Sequence, residues 1–161
     1  MTQLADFIDA ALQLEASWST ATAQLAREAP ELEFYGASVG AIRGTLRNLE
    51  RRYPNLGHDE ITALSSELWA MPVFERRLTA IILLQSHVAL LRNSDLTRIE
   101  GFVRTATLAA LADPLATDVI RPLLEQLDAP GRAKAAVVLE RWVADGDPWL
   151  RRAAELARAR K

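Results

Sequence analysis

Residues Pro72–Ala80 have the sequence PVFERRLTA, and residues Pro148–Leu156 have the sequence PWLRRAAEL. Both stretches open with proline and place an aromatic residue before an Arg–Arg pair. Proline suits the first position of a helix, because its missing N–H group would have no partner there. Each stretch is therefore predicted to begin a helix just after another helix has ended.

A third proline, Pro114, also follows an apolar segment, and the three prolines lie 42 and 34 residues apart. Helix pairs that recur at roughly 40 residues are typical of HEAT and armadillo arrays, in which each pair buries its apolar face on its neighbours. Apolar residues recur at three- and four-residue steps along the chain, and the alternation expected of strands is missing. We therefore predict an all-α superhelical stack of antiparallel helix pairs, with about eight helices, in a single domain of residues 1–161.

Start and stop signals place the eight helices at about 4–28, 38–52, 59–70, 72–92, 95–112, 114–127, 131–144 and 148–161. Three aspartates stand at predicted helix starts and are expected to serve as N-caps: Asp59, Asp113 and Asp147. The helix at 72–92 is apolar on nearly all sides. Its core residues are expected to be Leu78, Ile81, Ile82 and Leu84.

The composition excludes several classes of protein. Half of the 161 residues are hydrophobic and a quarter are charged, which is typical of a globular chain. Cysteine is absent, so disulfides, thiolate metal sites and a cysteine nucleophile are excluded. His58 and His87 are too few for a zinc site, and we expect no metal and no cofactor. The N-terminus lacks the pattern of a signal peptide, and the most apolar run is too polar to span a membrane, so we expect a cytoplasmic protein without membrane contact.

The charges are segregated along the chain. Residues 1–33, the predicted acidic N-terminal helix, hold six acidic residues and one basic residue, whereas residues 131–161 hold eight basic and four acidic residues. Seventeen of the 19 basic residues are arginine, which suits planar recognition of phosphate or carboxylate. The basic end therefore either contacts an anionic partner or is a solvated helix end that complements the helix dipole.

Four segments resemble, in order, those of the DNA alkylation repair enzyme family, the HEAT-like alkylpurine DNA glycosylases. They are Tyr35–Leu46 (YGASVGAIRGTL), Leu68–Leu84 (LWAMPVFERRLTAIILL), Asp113–Leu123 (DPLATDVIRPL) and Trp142–Ala154 (WVADGDPWLRRAA). The resemblance covers residues 35–161, and residues 1–33 carry no recognisable motif of the family.

The resemblance implies a hydrolase for the N-glycosidic bonds of N3- and N7-alkylated purines. Such a purine is cationic and already a good leaving group, so one ionised carboxylate beside C1′ can stabilise the oxocarbenium-like sugar and orient water. We accordingly expect the partner to be double-stranded DNA with alkylated purines, held in a concave basic cleft. The protein is expected to act as a monomer, in the cytoplasm with the nucleoid.

By the same resemblance, Asp113 is the catalytic carboxylate, and Arg151 and Arg152 contact DNA phosphate. The sequence also allows simpler roles. Asp113 precedes Pro114 at a predicted helix start and is an ideal N-cap, a position that itself favours an ionised carboxylate. The two arginines could instead be solvated or pair with Glu155.

Three further residues are candidates for DNA contact. Arg76 and Arg77 are expected to line the concave face. Trp149 is expected to contact DNA or, like Trp142 and Trp69, to fill space between helices.

Two departures from the family pattern leave an alternative open. Four residues before Asp113 the family has tryptophan, and this chain has Ala109. Family members also continue through further helix pairs beyond the WLRRAA segment, so a shorter cleft is expected. The alternative is a non-catalytic HEAT-like scaffold that binds DNA or protein, including one in which the acidic first helix covers the basic end.

Overall fold

A computed structural model describes residues 3–15 and 19–159 of the chain. Helix makes up 78% of the structure. Within the two described ranges the only strand-like feature is an isolated bridge between Glu33 and Val73. The prediction of an all-α fold is therefore confirmed. None of the helices in these ranges is both long and apolar enough to cross a membrane.

The chain forms two compact units, residues 1–86 and 87–161. Unit 1 consists of α1 (Gln3–Leu14), α2 (Thr20–Glu28), α3 (Val39–Arg52), α4 (His58–Ala70) and α5 (Phe74–Ser86). Helices α4 and α5 form a hairpin across a three-residue turn, and α3 packs on α5 while α1 packs on α3 and α4.

The core of unit 1 is built on α5. Ile81, Ile82 and Leu84 are buried as predicted, whereas Leu78 is partly exposed. They pack among buried side chains of the other helices, which include Ile8, Leu12, Ile42, Leu49, Ile61, Leu64 and Leu68. The connection between α2 and α3 also contributes to this core, because the ring of Phe34 stacks on that of Phe74 with the ring centroids 5.1 Å apart.

Unit 2 begins with two 3-10 turns, Val88–Leu90 and Asn93–Asp95, and continues into α6 (Leu96–Arg104). A continuous helical run over 109–126 follows, made of α7 (Ala109–Pro114), a π-helical segment (Leu115–Ile120) and α8 (Arg121–Gln126). The unit ends with α9 (Ala129–Ala144) and α10 (Pro148–Arg158). Helix α10 packs on α9, α6, α7 and the π-helical segment.

The π-helical segment has a local cause in the sequence. Pro122 has no N–H group, and its ring excludes the carbonyl of Asp118, so the regular hydrogen bond to that carbonyl cannot form. The helix widens instead, and the N–H group of Arg121 donates to the carbonyl of Ala116, five residues back. The buried stripe Leu111, Leu115, Val119 and Leu123 faces the core of the unit throughout.

Several predicted helix boundaries are wrong. The first predicted helix is two helices, because the hydroxyl of Ser19 accepts a hydrogen bond from the N–H group of Thr22 and starts α2 anew. The fourth ends at Ser86 rather than at Arg92, and the fifth ends at Arg104 rather than at Ala112.

Two of the three prolines do not begin helices. The carbonyl of Pro72 accepts from the N–H group of Glu33, and α5 begins two residues later. Pro114 lies inside the run 109–126, so Asp113 is not an N-cap. Asp59 is likewise inside α4, whose N-cap is Gly57.

Candidate functional site

The start of α10 is fixed by its N-cap. Asp147 accepts hydrogen bonds from the N–H groups of Trp149 at 2.8 Å and of Leu150 at 3.4 Å, and Pro148 occupies the first helical position. The predicted N-cap at Asp147 and helix start at Pro148 are therefore confirmed. The cap fixes where α10 begins, and the buried residues Leu150, Ala153 and Ala157 leave Arg151 and Arg152 on its exposed side.

A second carboxylate supports this cap. Asp145 accepts from the N–H group of Asp147 at 2.9 Å and from Nη2 of Arg104, on α6, at 2.8 Å. The hydrogen bond from Arg104 lowers the pKa of Asp145, and the same bond raises the pKa of Arg104. Sequence reasoning missed this pair. The residues lie 41 positions apart, and no local pattern links them.

The centre of the candidate site is the contact between Asp113 and Arg152. Nε of Arg152 donates to one carboxylate oxygen at 2.8 Å and Nη2 donates to the other at 2.9 Å. The hydrogen bond to Asp113 raises the pKa of Arg152. The Asp113 side chain is 31% exposed and the Arg152 side chain 53%, so both remain open to solvent. The structure thus joins two residues that were predicted separately.

Three residues near Asp113 in the sequence shape its surroundings. Thr117 donates its hydroxyl to the Asp113 carbonyl at 3.1 Å, which anchors the first turn of the π-helical segment. Ala109 is exposed and lies one helical turn before Asp113, on the same side of the helix. Just before it, Thr107 has a φ of 70°, a left-handed conformation that is rare for a β-branched residue.

The other two candidates on α10 take different positions. Trp149 is partly buried and lies three residues before Arg152, so the two side chains share one side of the helix. Arg151 is exposed, and its guanidinium makes no hydrogen bond or ion pair with the residues that the structure describes. Trp142, in contrast, is buried in the core of unit 2.

Arg76 and Arg77 do not line an exposed face, and this prediction is wrong. Arg76 is fully buried, with Nη1 2.9 Å from Asp9 and Nη2 3.0 Å from the carbonyl of Glu67. Arg77 is also buried, and its guanidinium donates to the carbonyl of Trp69 at 3.1 Å while lying over the ring of the same residue. Both arginines hold the start of α5 to the end of α4.

A model of the DNA alkylation repair enzyme family matches residues 8–160, nearly the whole chain. The chain belongs to the DNA alkylation repair enzyme family. Its function is therefore DNA alkylation repair-like, with DNA as the partner that the family suggests. The match includes Asp113 and Arg152 and also most of the acidic N-terminal segment. No curated protein matches the chain.

The Tyr35–Gly36 pair lies within the matched range and has a structural role. The buried carboxylate of Glu75 accepts from the N–H groups of Tyr35 at 2.7 Å and Gly36 at 3.2 Å, and burial raises the pKa of Glu75. Gly36 has a φ of 84°, which favours glycine at this position. The Tyr35 hydroxyl donates to Asp9, and burial followed by this bond raises the pKa of Tyr35 to about 12. These family residues stabilise unit 1 and do not form the candidate site.

Proposed function

We propose that the protein binds double-stranded DNA and hydrolyses the N-glycosidic bond of N3- and N7-alkylated purines, with Asp113 as the carboxylate beside the sugar. The observation that carries this proposal is the two-pronged contact between Asp113 and Arg152. It joins two segments that match the family, and it leaves both groups accessible from solvent. A bidentate ion pair of this kind requires the ionised carboxylate, which is the form that the mechanism uses.

The chemistry needs few groups because the alkylated purine carries a positive charge. As the bond between C1′ and the purine nitrogen breaks, its electron pair neutralises the departing base. The sugar becomes oxocarbenium-like, and the negative charge of Asp113 stabilises it. Water then adds to C1′ and loses a proton to the carboxylate or to bulk water. No acid is required to protonate the leaving base.

Arg152 can serve both of its predicted roles. A guanidinium has five N–H groups, and the contact with Asp113 uses Nε and one N–H group of Nη2. The N–H groups of Nη1 make no bond with the described residues and can donate to a DNA phosphate. One side chain can thus orient the carboxylate and contact the backbone near the lesion. Arg151, which is exposed on the same helix, would add a phosphate contact.

The test measures purine release from methylated duplex DNA. Asp113→Asn keeps the shape of the side chain but removes the charge. It is expected to abolish release while leaving duplex affinity unchanged or slightly higher, because only the transition state needs the carboxylate. Asp118→Asn is the matched control, since Asp118 is a partly exposed carboxylate in the same helical run. Release by Asp113→Asn at the wild-type rate would contradict the proposal.

A second candidate function rests on Ala109. If the family tryptophan at this position is needed to hold the lesion, the chain is a scaffold that binds DNA or protein without turnover. Purine release from methylated duplex distinguishes the glycosylase from the scaffold. A DNA-binding scaffold binds duplex in a salt-dependent way and releases no purine. A protein that binds no duplex even at low salt would be a protein-binding scaffold.

A further inference from the structure

Helix α3 carries three arginines that are four residues apart, Arg43, Arg47 and Arg51. All three are exposed. Because four residues are slightly more than one helical turn, their side chains follow one side of the helix at intervals of about 6 Å. We refer to Arg43, Arg47 and Arg51 as the arginine ridge.

The arginine ridge has unused hydrogen-bonding capacity. The guanidiniums of Arg43 and Arg47 make no hydrogen bond or ion pair with residues in the described ranges, and Arg51 donates to its helical neighbour Asn48. The buried pair Arg76 and Arg77 contrasts with them, since each is held by carbonyl groups of α4. Arg43 and Arg47 can therefore bind an anion from solution, and Arg51 can do so with the N–H groups that its bond to Asn48 does not use.

The surface beside the arginine ridge is hollowed. A small hollow of about 100 Å³ is lined by Arg43, Leu46, Arg47, Glu50, Ile82 and Ser86. A wider one of about 560 Å³ is lined by Arg47, Glu50, Arg51 and Pro54. Glu50 is the acidic residue in both, so the three arginines retain two net positive charges with it.

We propose that the arginine ridge is a second phosphate-contact surface, which binds successive phosphates of one DNA strand. Guanidinium groups match phosphate oxygens well, and their spacing along α3 is comparable with that of neighbouring phosphates on a strand. Such contacts fix position and carry no sequence information, so they act on damaged and undamaged duplex alike. This inference rests on the proposed function, since it assumes that DNA is the partner.

The experiment uses an undamaged duplex of about 20 base pairs and fluorescence anisotropy from about 50 to 300 mM KCl. The test variant combines Arg43→Gln, Arg47→Gln and Arg51→Gln. The single variant Arg47→Gln is measured beside it, with Arg52→Gln as its matched control, because each of these two removes one positive charge from α3. Arg52 lies about 100° around the helix from Arg51. Its guanidinium lies over the rings of Phe7 and Tyr53, 5.4 and 5.8 Å from their centroids.

The triple variant is expected to flatten the slope of log affinity against log salt by about three and to weaken binding at 0.1 M salt on the order of 10²-fold. The Arg52→Gln control should change the slope by less than about one. Circular dichroism checks that the variants fold. If the triple variant does not fold, the single Arg47→Gln variant is expected to flatten the slope by about one.

The outcomes separate the two proposals. A triple variant with the wild-type slope, in a wild type that binds duplex, overturns the ridge and leaves the proposed function intact. A wild type that binds no duplex at low salt overturns both. A ridge-dependent slope without any purine release supports the ridge and contradicts the glycosylase activity.

Discussion

Asp113 and Arg152 meet across 39 positions of sequence, in a contact that matters little for stability. Ion pairs that are open to solvent are screened and contribute little to the free energy of unfolding. The geometry is nevertheless that of a well-formed fork, with both carboxylate oxygens bound at 2.8 and 2.9 Å. Under the proposed function, a pair with this geometry would orient the carboxylate of Asp113 rather than stabilise the fold.

The substitution Ala109→Trp tests the residue beside this carboxylate. Ala109 is exposed, so a larger side chain can be accommodated one turn before Asp113 without displacing core residues. Aromatic contacts add about 0.5–1.5 kcal/mol, so we expect purine release to rise about two- to tenfold. Single-turnover kinetics on methylated duplex measures the change. Ala110→Trp is the control, since Ala110 is also exposed but points about 100° away. Equal rates for all three proteins would show that the missing tryptophan is not what limits the site.

At the scale of helices, sequence rules succeeded where the deciding contacts are local. Asp147 and Pro148 begin α10 as predicted, because the capping carboxylate and the N–H groups that donate to it lie within three residues of each other. Pro114 follows the same Asp–Pro pattern but lies inside a helix, because α7 has already begun at Ala109. Nothing in the dipeptide itself distinguishes the two cases. The difference arises from the residues before it, where Leu108 starts the helix early.

The two Arg–Arg pairs also show that a local sequence pattern does not determine which side chains are buried. Arg76 and Arg77 share their spacing after an aromatic residue with Arg151 and Arg152, yet only the second pair is exposed. The partner that allows Arg76 to be buried is Asp9, 67 positions away on α1. Periodicity places a residue on a helix, but the side that faces solvent depends on such distant partners.

The core of unit 1 gives a prediction for α5. Ile81→Ala should lower the free energy of unfolding by about 2–5 kcal/mol, because Ile81 is fully buried and the cavity cannot collapse completely. Leu78→Ala, in the same helix, should cost clearly less since Leu78 is partly exposed. Urea denaturation at pH 7 measures both. A loss below about 1 kcal/mol for Ile81→Ala would show that α5 is not packed in the core.

At the scale of the whole molecule, the charge totals of the sequence segments do not show which basic side chains are paired in the structure. Several cations of the basic C-terminal part are already paired, as Arg152 is with Asp113 and Arg158 with Glu140. Helix α3, which lies outside both charged segments, presents the arginine ridge instead. A charge total over a stretch of chain does not show which charges are neutralised. The sequence therefore indicates the arginines of α10 and not those of α3.

The pH dependence of stability should depend on Asp9. Burial alone would raise the pKa of Asp9, but hydrogen bonds from Arg76, Tyr35 and Gln13 outweigh it and hold the pKa below the ordinary 3.8. A carboxyl with a lowered pKa stabilises the fold above its unfolded pKa, and that contribution is lost as pH falls through the folded value. Asp9→Asn should therefore cost about 3 kcal/mol at pH 7, because it removes the negative charge that compensates the buried guanidinium of Arg76.

Urea denaturation of the wild type and of Asp9→Asn at pH 7 and near pH 3 checks this. The difference between the two proteins should shrink at the lower pH, which lies below the ordinary pKa of 3.8, because there the unfolded chain binds a proton at Asp9 more readily than the folded protein does. Glu75 acts in the opposite sense, since burial raises its pKa and protonation favours the folded state. Because Glu75 is present in both proteins, it cancels in the comparison. A difference of equal size at both pH values would mean that the charge of Asp9 is not what stabilises the contact.

The π-helical segment at Leu115–Ile120 has a consequence for how the chain tolerates insertions and deletions. A turn with five-residue hydrogen bonds holds about one residue more than a regular turn, so a single deletion there would return the run to regular winding. The total rotation about the helix axis would change little, because the widened turn spreads one full turn over more residues. Asp113 would therefore keep nearly its present direction relative to α8 and would still face Arg152. A deletion within α8, where the winding is regular, would instead rotate Asp113 by about 100° relative to everything that follows. The π-helical segment is thus a place where the chain can lose a residue while the two halves of the site stay in register.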